Sequence, residues 1–312
     1  MHNPNLAALR RRLAIKGLTP ASGMPEASTG RTEEACIRPA RLIEDDALRC
    51  RPVGAAEPWP GPLAFLDGVQ RMHLVGYAGA APIYVGEVAA AVRVRREGRL
   101  TTVAEQRRGL VIARPRALVA AGDALDGLAT VALPEDEAPH PVRDLTQASR
   151  ALDRARGQLE LTLGHRYRRQ SDGWLLVDGS LAESPEWSAD PRMVGVAKSH
   201  ATLPFDGADL ELYLRVPFAH RTSVFAPQTR SVAPVHAWAL RLWPWESKDL
   251  FHGLVRVEVA PSNGTPEIAD LLSRRLVAER APISTPDKRW DRLLYGVHSV
   301  EQYLHARAGS LV

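Results

Sequence analysis

The sequence is short of the residues and patterns that define several protein classes. Only two of its 312 residues are cysteines, and neither belongs to a CxxC pair or a Cys/His cluster of zinc spacing, which excludes a disulfide scaffold and a structural zinc site. No apolar run approaches the length of about 18 residues that a membrane helix requires, and the N-terminus lacks the apolar segment of a signal peptide. Glycine-rich GxGxxG and GxxxxGKS/T loops are missing, so the sequence gives no support for nucleotide binding of that kind. We therefore expect a cytoplasmic protein with no membrane association.

Lysine is also scarce, because 36 of the 40 basic residues are Arg. The net charge is only +4, but residues 93–116 hold eight Arg against two acids and residues 143–169 hold seven Arg against three. Planar guanidinium groups bind phosphates in a bidentate manner, so both windows suit contact with a nucleic-acid backbone; a solvated face without function explains them equally well. The candidate contacts are Arg96, Arg107, Arg156 and Arg256.

Composition and periodicity predict a globular α/β fold. The chain is 45% apolar and 24% charged, which is close to the average for globular proteins. A short amphipathic helix over 5–17 and a Gly/Pro/Ser/Thr-rich linker to residue 32 suggest an N-terminal extension, 1–36, before the main domain, 37–312. Further along, the patterns predict strands over 63–66, 72–77, 83–94, 128–133, 174–177, 194–198, 210–216, 236–243 and 254–259, and helices over 101–121, 145–167, 266–276 and 293–304. This order favours a sheet with helices on its faces.

Two Asp-Gly pairs follow apolar runs, at Asp67-Gly68 and Asp178-Gly179. A carboxylate at the end of a buried strand is held rigidly, which suits a ligand of a hard divalent cation, although an isolated Asp-Gly is more often only a turn. Glu160 lies at the border of the apolar face of the helix before Asp178, where a solvated charge is the simpler interpretation. Together the three carboxylates could bind one or two Mn²⁺ or Mg²⁺ ions for phosphodiester cleavage.

Two further residues are candidates for the same chemistry. Lys198, one of few lysines, ends an apolar strand-like segment and could meet a phosphate as a point charge, with a chance surface lysine as the alternative. His298 lies beside the apolar stripe of the last helix, where it could transfer a proton, although a histidine there is more often structural.

The ordered series of short motifs resembles the NurA nuclease family over about residues 60 to 308. The motifs are Phe65-Leu66-Asp67-Gly68, Trp174-Leu175-Leu176-Val177-Asp178-Gly179-Ser180-Leu181, Val194-Gly195-Val196-Ala197-Lys198-Ser199, Gly253-Leu254-Val255-Arg256-Val257-Glu258 and Tyr295-Gly296-Val297-His298-Ser299. The resemblance implies an RNase H-like mixed β-sheet flanked by helices, a Mn²⁺-dependent nuclease acting on DNA ends and single strands, a homodimer, and partnership with a HerA-type hexameric translocase.

Position by position, the resemblance implies catalytic and metal-binding roles for Asp67, Glu160 and Asp178, with Glu87 as the alternative to Glu160. It implies further catalytic roles for Lys198 and His298. Val69 stands where the family commonly has a small hydroxyl residue.

The main hypothesis is a DNA nuclease, a 5′–3′ exonuclease or single-strand endonuclease or both, that processes DNA ends together with a HerA-type translocase. Its role could be DNA repair or defence. Because of Val69, a catalytically inert adaptor that binds DNA or the translocase is the alternative. A nuclease directed at RNA also stays open, because phosphate contacts do not read the 2′-OH.

Overall fold

A computed structural model of the chain describes residues 6–20, 35–125, 127–228, 233–246, 248–282 and 289–307. Residues 21–32 of the predicted linker lie outside these ranges. The helices are α1 Leu6–Ile15, α2 Pro115–Ala121, α3 Pro141–Arg168, α4 Pro185–Ala189, α5 Gly207–Leu214, α6 Thr265–Glu279 and α7 Tyr295–Arg307. Short 3₁₀ turns cover Gly122–Leu125, Leu181–Glu183 and Trp290–Arg292.

The strands are β1 Thr19–Pro20, β2 Cys36–Ile37, β3 Arg41–Leu42, β4 Cys50–Pro52, β5 Leu63–Ala78, β6 Ala81–Arg96, β7 Arg99–Ala113, β8 Ala129–Ala132, β9 Trp174–Asp178, β10 Met193–Ala197, β11 Thr202–Leu203, β12 His220–Thr222, β13 Phe225–Ala226, β14 His236–Arg241 and β15 Leu254–Val259. Strands β2 and β11 form a separate small parallel sheet. The remaining described strands join one large mixed sheet.

The centre of the large sheet runs in the order β15-β10-β9-β5-β6-β7-β8. Strands β5, β6 and β7 form an antiparallel meander, whereas β9 pairs parallel to β5 and β10 pairs parallel to β9. Helix α3 lies in the long connection between the meander and β9, as a parallel strand pair requires. The RNase H-like mixed sheet flanked by helices, predicted from the sequence, is confirmed.

Alternating side chains of the central strands bury the two faces of the sheet under different helices. On β5, Ala64 and Leu66 belong to the core beneath α3, whereas Leu63 and Phe65 belong to the core beneath α6 and α7. Helix α7 comes so close that a Cβ added to Gly296 would lie 2.2 Å from the Phe65 ring. Because successive residues of a strand face opposite sides of the sheet, Asp67 lies on the α7 face and Gly68 on the α3 face.

The N-terminal extension contains a helix, as expected, and this helix packs against the sheet. Helix α1 buries Leu6, Leu9 and Leu13 in a third core with residues of β5, β6, β7 and α2. Strand β1 continues this contact by pairing with the distal end of β5. No helix within the described ranges is long and apolar enough to cross a membrane.

Three segments differ from the sequence-based predictions. Residues 63–66 and 72–77 belong to one strand, β5, because Asp67-Gly68 continues the ladder with β6 instead of turning. Most of 101–121 is strand β7, because pairing with β6 along its length overrides the weak helical pattern, and only Pro115–Ala121 is helical. The segment 210–216 contains the end of helix α5, because Leu210, Tyr213 and Leu214 all pack on one core at helical spacing.

Candidate nuclease site

Asp67 and Asp178 lie on adjacent parallel strands at the point where these strands separate. The last registered pair of β5 and β9 is Leu66 with Val177, so the two aspartates follow at the same level. Asp178 ends its strand, as predicted, but Asp67 lies inside β5, which continues as a hairpin with β6. Asp178 is the residue in register with Val196 of β10.

Lys198 comes from the neighbouring parallel strand and neutralises Asp178. It follows the end of β10, and its Nζ lies 2.9 Å from both carboxylate oxygens of Asp178. The predicted strand-end lysine is therefore in the cleft, where it forms an ion pair with a candidate metal ligand.

Glu160 reaches the same strands from the opposite face, across Gly68. A Cβ added to Gly68 would lie 2.3 Å from Oε1 of Glu160, so a larger residue there would displace this carboxylate from its present position. Arg156, one turn earlier on α3, donates from Nη1 to Glu160 Oε1 at 2.5 Å and from Nη2 to Asp153 at 2.9 Å. The three predicted carboxylates thus surround one short stretch of β5.

The proximity of these acids shows in their pKa values. Asp67 is only 6% exposed, and burial raises the pKa of its carboxyl well above the ordinary value. Asp178 raises the pKa of Asp67 further, Lys198 offsets part of the increase, and Glu160 adds to it. Burial also raises the pKa of Glu160 to about 7, against the opposing effect of Arg156. Buried carboxylates with raised pKa values are typical of functional sites.

The donor chemistry of the site suits a hard divalent cation, because carboxylate oxygens are the ligands that Mn²⁺ and Mg²⁺ prefer. In the described part of the chain, however, no group of three or more Asp, Glu, His or Cys side chains is arranged to hold a metal ion. The reason lies in the sheet: Glu160 approaches from the α3 face, whereas Asp67 points to the α7 face. Lys198 and Arg156 meanwhile act as counter-ions of Asp178 and Glu160.

The turn after Asp178 is fixed by a buried carboxylate that the sequence analysis did not single out. Glu258 of β15 is fully buried and accepts hydrogen bonds from Ser180 Oγ at 2.7 Å and from the Leu181 backbone N–H at 2.9 Å. Its other oxygen accepts from Arg256 Nε at 2.9 Å. Glu258 therefore holds both the Asp178 turn and one of the predicted nucleic-acid contacts.

The carboxylates lie in a cleft of about 1140 Å³. Its lining within the described ranges includes Cys36, Arg38, Asp67, Gly68, Arg150, Asp153, Arg154, Arg156, Gly157, Glu160, Asp178, Gly179, Ser180, Glu183, Lys198, Arg256, Arg289 and Glu301. Of the arginines predicted to contact nucleic acid, Arg156 and Arg256 line this cleft. Arg96 and Arg107 do not: Arg96 pairs with Arg99 at the turn of the β6–β7 hairpin, and Arg107 binds Glu105 at 2.7 Å.

Helix α7 contributes Glu301 to the cleft, a residue that the sequence analysis missed. The carboxylate of Glu301 lines the cleft and also raises the pKa of Asp67. His298 lies one turn earlier on α7, outside the cleft lining, with Nδ1 3.6 Å from Glu301 Oε2. It is only 9% exposed, and neither ring nitrogen has a hydrogen-bond partner among the described residues. The i, i+3 spacing to His298 was the available signal for Glu301.

Glu87, the alternative to Glu160, lies elsewhere. It belongs to β6, forms an ion pair with Arg107 at 3.3 Å, and is not among the residues that line the cleft in the described ranges. Of the two predicted glutamates, the structure places Glu160 beside Asp67.

The sheet order, the crossover helix and the flanking helices define an RNase H-like fold. The NurA nuclease from Sulfolobus solfataricus has a similar structure, with a TM-score of 0.50 over 80% of each chain and 12% sequence identity. Human endonuclease V superposes with a TM-score of 0.34 at 13% identity over 97% of this chain and 100% of that chain, and the catalytic domain of human endonuclease V gives 0.35 at 13% identity over 97% and 96%. No protein-family model and no curated protein matches the sequence. At this identity the likeness to NurA shows the fold.

Proposed function

We propose that this protein is a metal-dependent DNA nuclease. The observation that carries the proposal is the convergence of Asp67, Asp178 and Glu160 around one stretch of β5, with Lys198 beside them, at the bottom of a cleft bordered by arginines. The fold is the one that the NurA nuclease has, and it supports the same assignment.

With Lys198 released from Asp178 and Arg156 released from Glu160, the carboxylates of Asp67, Glu160 and Asp178 would turn toward one another and hold Mn²⁺ or Mg²⁺. A bound divalent cation supplies an activated water and stabilises the leaving oxygen. Lys198, released from Asp178, would contact the scissile phosphate as a point charge. His298, buried beside Glu301, would assist proton transfer or product departure through that carboxylate.

The resemblance to NurA extends the proposal to the substrate and partners. The substrates would be DNA ends and single strands. The protein would cleave them as a 5′–3′ exonuclease, a single-strand endonuclease or both, in DNA repair in the cytoplasm. The protein would act as a homodimer together with a HerA-type hexameric translocase, which would deliver the DNA to it. Light scattering at micromolar concentration tests the dimer, and a monomer there would contradict it.

The test of the nuclease is cleavage of labelled single-stranded and double-stranded DNA with Mn²⁺. Asp178→Asn should abolish the products because it removes a carboxylate from the centre of the site. Asp136→Asn, which removes an exposed aspartate outside the cleft lining, is the matched control and should cleave like the unmodified protein. Equal activity of Asp178→Asn and the unmodified protein would refute the mechanism.

The ion pairs of the site favour a second candidate, the inert adaptor. Lys198 and Arg156 already neutralise Asp178 and Glu160, as fixed structural ion pairs would. Thermal unfolding with increasing Mn²⁺ separates the two functions. A nuclease site should show a metal-dependent rise in Tm that Asp178→Asn removes; an adaptor should show no such rise while it still binds DNA or the translocase.

A further inference from the structure

The face of α3 that borders the cleft continues beyond Glu160 toward the start of the helix. Arg150, Arg154 and Gly157 line the cleft together with Glu160. With a rise of about 1.5 Å per residue, Arg154 and Arg150 lie about 9 and 15 Å along the helix from Glu160, and about 6 Å from each other. This step is close to the distance between successive phosphates of an extended single strand.

Arg150 and Arg154 on α3, like Arg38, form no ion pair with a carboxylate in the described ranges, whereas the other cations of the cleft do. The paired cations are Arg156 with Glu160, Lys198 with Asp178, Arg256 with Glu258, and Arg289 with Glu301. Arg150 and Arg154 are exposed, and neither forms a hydrogen bond or ion pair through its side chain with any residue in the described ranges. Their charge is available to a ligand of the opposite sign.

Gly157 lies between these arginines and Glu160, and packing does not explain it. A Cβ added there would have Glu183 Oε2, at 3.9 Å, as its nearest neighbour, which is ordinary contact. On the same helix Gly164 is required by packing, since its Cβ would lie 2.6 Å from Trp187 and 3.0 Å from Leu66. Glycine weakens a helix interior, and at position 157 it leaves the helix backbone open to the cleft.

We infer that this face of α3 is a track for the phosphate backbone of single-stranded DNA. Arg154 and Arg150 bind the first and second phosphates beyond the scissile one, and Gly157 lets the strand lie against the helix. The inference rests on the proposed function. A single strand is favoured over a duplex because the carboxylates are recessed: Asp67 is 6% and Glu160 8% exposed, so the scissile phosphate must enter the cleft to reach them.

The test measures binding of a fluorescein-labelled oligothymidylate by anisotropy, in EDTA, over a series of salt concentrations. Replacing both arginines, Arg150→Gln with Arg154→Gln, should weaken binding and reduce the slope of log K against log salt by about 0.7 for each arginine. The matched control is Arg166→Gln with Arg169→Gln, which removes the same charge from two exposed arginines at the end of α3 outside the cleft lining. That control should keep the slope.

Variants of Gly157 provide an independent test of the track. Gly157→Gln should weaken binding while the Tm is maintained, because glutamine favours the helix but fills the track; Gly157→Ala should bind more tightly than Gly157→Gln. Binding by Gly157→Gln as tight as that of the unmodified protein would overturn the track, as would equal slope losses in the two double variants. Stronger competition by duplex than by single strand would also overturn it.

Failure of the track and failure of the nuclease are distinguishable, because binding is measured without metal. If no divalent cation supports cleavage but the Arg150 and Arg154 variants still lose binding, the track stands and the nuclease proposal fails. If DNA is cleaved through Asp178 and these variants bind unchanged, the track alone is wrong.

Discussion

Replacing Glu160 by glutamine should stabilise the metal-free protein at alkaline pH. The pKa of Glu160 is raised from 4.5 to about 7, with burial as the main cause. In the unfolded chain the carboxyl ionises near 4.5, whereas in the folded protein it keeps its proton up to about 7. The free energy of unfolding therefore falls as pH rises through this window. Glu160→Gln cannot ionise, so its free energy of unfolding does not fall for this reason.

The magnitude follows from the size of the shift. A difference of about 2.5 pKa units corresponds to about 3 kcal/mol. The free energies of unfolding of Glu160→Gln and the unmodified protein should differ by this full amount above about pH 8. With an unfolding entropy typical of globular proteins, this amounts to roughly 5 °C in Tm for a chain of this size. At pH 4.5 and below the two proteins should have nearly equal Tm values. Because Glu160 is 8% exposed, solvent screening reduces this value little.

The assay is thermal unfolding in EDTA across a pH series, with the unmodified protein and Glu160→Gln measured side by side. Glu211→Gln on α5 removes an exposed carboxylate that pairs with Arg215 and should follow the unmodified protein at every pH. Adding Mn²⁺ should reverse the order by stabilising the unmodified protein more. A Tm difference that does not change with pH, or a less stable Glu160→Gln at pH 8, would refute the reasoning.

Three other predictions follow from the same structure. Gly68→Ala should lower the Tm and abolish cleavage because its Cβ would meet Glu160 Oε1, and Glu160→Ala added to it should restore the Tm but not the cleavage. Lys198→Ala should tighten Mn²⁺ binding by calorimetry, since it frees Asp178, yet slow cleavage; weaker Mn²⁺ binding would contradict the ion pair as a competitor. His200 follows the end of β10, and its Nε2 lies 3.1 Å from the carbonyl oxygen of Leu254. Burial lowers the pKa of His200 to about 4, so the free energy of unfolding should fall by about 3 kcal/mol as pH drops from about 7 to 4. His200→Asn should flatten this dependence in denaturant titrations.

Much of the central sheet was predictable because its elements carry strong local patterns. The apolar run of β9 and the stripe of α3 needed no partner to be recognised, and both lie within about a turn of their predicted bounds. Where the local pattern is weak, the secondary structure of a segment depends on the strands and side chains that it packs against. Residues 101–113 form a strand because they pair with β6 along their length. Residues 210–214 are helical because Leu210, Tyr213 and Leu214 pack in one core.

The sequence by itself indicated which residues are candidates for the proposed chemistry. Asp67, Asp178 and Lys198 stand next to apolar runs that predict buried strands, and the parallel pairing of β5, β9 and β10 brings the three residues together. Only the tertiary structure decided the rest: that Glu160 reaches β5 over Gly68, that Glu301 lines the cleft while His298 lies behind it, and that the counter-ion of Asp178 is Lys198. These contacts join residues far apart in the chain, and their geometry depends on how helices pack on the two faces of the sheet, which no local pattern encodes.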